Sequence, residues 1–141
     1  MFNKLPHFRY SDGLHQYLLG MAIDCSDYTN QNIYQLISIW IFGVCVVVTI
    51  NYYFGFLDRP KFSNITYWVS SSIVVSAFLG LFAYYKAANG LSPYNHCSEL
   101  SFYRTDCILF GLTAFAYSNF IIFIFSMIFK WFSTDNKKVP F

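Results

Sequence analysis

Residues 28–57 read YTNQNIYQLISIWIFGVCVVVTINYYFGFL, thirty positions without one Asp, Glu, Lys or Arg, and this run decides the fold. A helix needs about 20 mostly apolar residues to cross the ~30 Å hydrocarbon layer of a bilayer, so the run is long enough for one complete crossing. Two further uncharged stretches follow, 24 residues between Lys61 and Lys86 and 23 between Asp106 and Lys130. Each holds one more span. In a chain that is 56% hydrophobic and 11% charged, against about 25% charged residues in soluble domains, this pattern predicts an all-α integral membrane protein.

The expected organisation is a first transmembrane helix over 33–54, a second over 66–85, a loop over 86–106, a third helix over 107–129 and a polar tail over 130–141. Residues 1–32 form a head: a polar lead, then LHQYLLGMAIDCSDY, whose apolar Leu14, Leu18, Met21 and Ala22 share one helical face. Asp12 is placed to cap this helix and Gly13 to open it. With fewer than 15 apolar positions it is expected to lie at the interface or to span halfway. Aromatic residues at the span ends (Tyr52, Tyr53, Tyr67, Trp68, Tyr84, Tyr85 and Trp131) suit the headgroup layer. Lys and Arg divide four against five between the two sides, which leaves the orientation open. The head lacks the apolar core and cleavage site of a signal peptide, so Met1 is expected to stay on the mature chain.

Several function classes are excluded. A net charge of +2 without any basic block argues against nucleic acid as a partner. Cysteines at 25, 45, 97 and 107 match no zinc spacing. Cys97 and Cys107 bracket one loop and are readable either as a disulfide or as free thiols. The three spans carry no carboxylate, His or Arg, as an ion-coupled transporter would need. Asn64-Ile65-Thr66 matches a glycosylation acceptor but lies too close to a span for use.

Within the spans, Ser72, Ser76 and Gly80 fall four residues apart, and Gly111, Ala114 and Ser118 make a comparable small-residue set. Such rows let helix backbones approach closely, so they are expected to pack the second and third spans together or against partner subunits. Ser118 and Asn119 near mid-span call for an interhelical hydrogen bond. In the head, His15, Asp24, Asp27 and Tyr28 bring titratable groups to membrane depth. They are readable as a functional cluster, or as an interfacial His beside a capping Asp and a belt Tyr.

The string LHQYLLGMAIDCSDYTNQNIYQLISIWIFGVCVVVTI, about 35 of 141 residues, resembles a membrane-anchor subunit of succinate dehydrogenase, respiratory complex II. The likeness is carried by His15, Gly20-Met21, Asp27-Tyr28 and the polar stretch from Thr29 to Asn32 before the first span. The resemblance implies that His15 matches the axial ligand of haem b. It also implies that Tyr28 is the phenol that hydrogen-bonds a ubiquinone carbonyl, with Asp27 its neighbour in proton supply. It further implies flavoprotein and iron–sulfur partners, other membrane subunits and lipids. The expected location is the mitochondrial inner membrane, with the bacterial inner membrane as alternative. Two other readings share most features: an accessory structural subunit of another respiratory complex, and a small homo-oligomeric pore of the holin kind.

Overall fold

The computed structural model describes residues 11–22, 31–54, 64–91 and 100–132. Four α-helices occur among them in chain order: α1 (Asp12–Leu19), α2 (Ile33–Phe54), α3 (Ile65–Ala88) and α4 (Arg104–Phe129), with a 3-10 turn over Lys130–Phe132. No strand occurs among the described residues. The three long helices are long and apolar enough to cross a membrane. This follows from the sequence physically, because hydrocarbon offers no partner to a backbone N–H or C=O and a helix satisfies both within itself.

The spans run longer than the uncharged windows at one end of the molecule. α3 extends through Lys86 to Ala88, and α4 begins at Arg104 rather than Cys107. Asn64, the acceptor of the glycosylation motif, is the N-cap of α3, its side chain accepting the Thr66 N–H at 3.3 Å. The α4 start is held by Asp106, whose Oδ2 accepts the Tyr103 N–H at 2.9 Å, one half of a capping box.

α3 and α4 form an antiparallel hairpin with the most extensive contact among the described helices, and α2 packs mainly on the other side of α4. The hairpin closes on two glycines. A Cβ placed on Gly80 would lie 2.9 Å from the Gly111 carbonyl oxygen and 3.0 Å from Phe115 Cβ. One placed on Gly111 would lie 2.9 Å from the Gly80 carbonyl oxygen and 3.0 Å from Tyr84 Cβ. Each backbone thus occupies the space the other's side chain would need. Further along, Ser72 Oγ donates to Asn119 Oδ1 at 3.3 Å and Trp68 Nε1 to Ser126 Oγ at 3.0 Å.

The small residues of α4 do not all serve that hairpin. Gly111 meets α3, whereas Ala114 lines a crevice with Tyr34, Ile37 and Ile41 of α2, and the Ser118 carbonyl accepts the Cys45 thiol at 3.7 Å. α4 is therefore the shared helix, with one thin face for each neighbour. On α2 the buried row Ile37, Ile41, Cys45 and Thr49 keeps a spacing of four residues and makes this second contact. Of the two side chains, Asn119 makes the expected interhelical bond, whereas the Ser118 hydroxyl turns back to the Ala114 carbonyl.

Ser76, fully buried between Ser72 and Gly80, has no hydrogen-bond partner for its hydroxyl among the described residues. Replacing it with Ala is expected to leave stability unchanged or raise it by about 1 kcal/mol, because no bond is lost and a buried polar group is removed. Gly80→Leu or Gly111→Leu forces the backbones apart and is expected to cost at least about 1–3 kcal/mol. Unfolding titrations of the three variants in mixed micelles test this ordering.

Candidate functional site

α1 is an eight-residue helix laid against the end of the bundle where α2 and α4 begin and α3 ends. Its inner face buries Leu14 and Leu18 completely. The sequence pattern extends this helix further, but Gly20 stops it: φ is 105°, in the left-handed region that glycine adopts freely, and its N–H closes on the last turn. Met21 and Ala22 accordingly lie beyond the helix. The expected cap also moves by one residue. Ser11 is the N-cap and Asp12 the first helical residue, and the Ser11 hydroxyl leaves the helix end to donate to Asp106 Oδ2 at 3.0 Å, bridging 95 positions of chain.

Asp106 thus accepts two hydrogen bonds on one oxygen, one from α1's cap and one from its own helix's cap. Beside it, Tyr17 lies against Phe102 with ring centroids 5.7 Å apart, and both rings press on Gly90. A Cβ at Gly90 would come within 2.6 Å of the Tyr17 ring and 2.9 Å of Phe102, so a side chain there would have to push both rings aside. Burial raises the Tyr17 phenol above its ordinary range, and the neighbouring Cys107 adds to the effect. Cys107 is a buried free thiol, and Cys97 lies outside the described residues.

Of the residues implied by resemblance, His15 is described. It is half-buried on α1, its ring 5.7 Å from Tyr34 of α2, which in turn meets Phe110 of α4 edge-on at 5.7 Å. Asp24, Asp27 and Tyr28 lie outside the described residues. The crevice next to Tyr34 holds about 20 Å³, room for a water molecule. No group of three His, Cys, Asp or Glu among the described residues is arranged to hold a metal ion.

Two features went unread in the sequence: the Asp106 tie and the seat at Gly90. A capping box is legible when Ser or Thr stands three residues before the acid, and here Tyr103 stands there. Gly90 reads as an ordinary helix-end glycine until Tyr17, some seventy positions earlier, is placed on it. Two further surfaces are apolar grooves, one on α2 around Gly43 and one on the outer face of the α3–α4 hairpin.

Asp106→Ala removes both hydrogen bonds and is expected to weaken the start of α4 by about 1–2 kcal/mol while loosening α1. Amide hydrogen exchange over 12–19 reads the loosening. Because the folded Tyr17 phenol titrates above the ordinary value of 10.0, the neutral form favours the docked state. The contribution is complete below that pH and is lost as pH rises through the folded pKa. Protease sensitivity of the head is expected to increase in that alkaline range, and Tyr17→Phe to remove the dependence. Comparison with protein-family models, curated proteins and solved structures finds no match for this chain.

Proposed function

We propose that this chain is a membrane-embedded anchor subunit, holding a larger assembly in the bilayer and performing no chemistry alone. The carrying observation is the surface of α2. Gly43 is exposed with nothing within 4 Å of where its Cβ would be, and Trp40, Val44 and Val47 flank it in an open groove of about 410 Å³. Within one chain, Gly80 and Gly111 show what such a notch accommodates: the backbone of another helix. Only 22–28% of the most apolar stretch of each long helix is buried inside the chain, which leaves most of every span to meet lipid or neighbouring subunits.

The assembly suggested by the sequence resemblance is a succinate:quinone oxidoreductase of the respiratory chain, in the mitochondrial or a bacterial inner membrane. In that reading Tyr28 donates a hydrogen bond to ubiquinone and Asp27 assists proton uptake, while electrons arrive from partner flavoprotein and iron–sulfur subunits. An accessory structural subunit of another membrane complex shares the same anchoring surface and needs neither residue.

Capture by an epitope at Phe141 after mild detergent extraction, followed by mass spectrometry, tests both levels. Stoichiometric membrane subunits are expected, and Gly43→Leu is expected to release them while helical circular dichroism is unchanged. Flavoprotein and iron–sulfur partners, with Tyr28→Phe lowering quinone turnover in an assembled complex, support the respiratory reading. Other partners with an indifferent Tyr28→Phe leave the accessory role. A homo-oligomer alone overturns the anchor.

A further inference from the structure

The outer face of the α3–α4 hairpin carries an open groove of about 530 Å³, lined among the described residues by those two helices. Its floor is the Gly80–Gly111 contact, where the missing side chains leave the hollow, and Leu81, Ile108 and Leu112 form its walls. One end differs from the rest. There Arg104, the exposed first residue of α4, donates from Nε to the Tyr84 hydroxyl at 3.1 Å, which holds the guanidinium at the mouth. The nearby Asp106 keeps its Oδ2 on Ser11 and the Tyr103 N–H.

We propose that this groove holds an acyl chain of an anionic phospholipid, with the headgroup phosphate on Arg104. The groove's length suits that occupant. From Arg104 to Phe115 is eleven residues, ~16 Å at ~1.5 Å per residue, about half of the ~30 Å hydrocarbon layer. An acyl chain of one leaflet has that reach, from the interface to the midplane. Charge makes the selection finer. A planar guanidinium at the start of a helix faces the headgroup layer, where phosphate oxygens accept its remaining N–H groups and the helix N-terminus favours negative charge. The site is independent of the anchor reading, since it uses neither the head nor α2.

Native mass spectrometry of the full chain, delipidated in detergent and titrated with phosphatidylglycerol or phosphatidylcholine of identical acyl chains, tests the site. One phosphatidylglycerol is expected to be retained about fivefold more strongly than phosphatidylcholine, the increment for a single basic side chain at an anionic surface. Arg104→Gln is expected to abolish the preference. Leu112→Trp, at an exposed position where folding is not at stake, fills the groove and is expected to lower retention of both lipids. Equal retention of the two lipids by the parent chain overturns the site, as does a preference that survives Arg104→Gln or unchanged retention in Leu112→Trp. Displacement of the lipid by excess inorganic phosphate, or a dimer mass in place of the lipid adduct, overturns it as well.

Discussion

The contact between Gly80 and Gly111 sets the geometry on which the rest depends. Inside a bilayer, water does not drive apolar faces together, because lipid tails are as apolar as Leu, so helices must gain their association from close packing and a few hydrogen bonds. Two glycines facing each other bring α3 and α4 near enough for the flanking Ser72–Asn119 and Trp68–Ser126 bonds to form. They also fix the angle at which α4 presents its other face to α2. The same closeness hollows the outer surface, so one steric fact creates both a tight seam and a wide groove.

The spans were legible because their cause is one-dimensional. Hydrocarbon excludes charge, and three uncharged windows can be counted along the chain without knowing anything of the packing. The ends were less legible. Lys86 stays on α3 and Arg104 opens α4 although both are charged, since long basic side chains reach the interface from a helix end. The rows of small residues announced close packing but not its partners. Ala114 and Ser118 share a spacing pattern with Gly111 and yet turn to α2, and only the placement of α4 between two neighbours divides them.

The head was the hardest to read, because its contacts are not local. Its apolar face at Leu14 and Leu18 is visible in the spacing, whereas the stop at Gly20 was passed over, the pattern running on to Met21 and Ala22. What these residues pack on is not. His15 meets Tyr34 in the next helix, whereas Tyr17 meets Gly90 and Phe102, and Ser11 meets Asp106. A pattern of types along a sequence carries no record of such pairings. The same holds for the acid–phenol pair at Asp27 and Tyr28, whose reading rests on a short motif.

The hydrogen bond from Ser11 to Asp106 also has a bearing on biogenesis. Its two ends are 95 residues apart, so the acceptor does not exist until the first turn of α4 has been made. At roughly 5–20 residues per second, Ser11 waits about 5–20 s for that acceptor while α2 and α3 are made. The cap of α1 is therefore completed well after α1 itself is made. The bond ties that helix to one made two helices later, much as a latch closes only once its catch is in place.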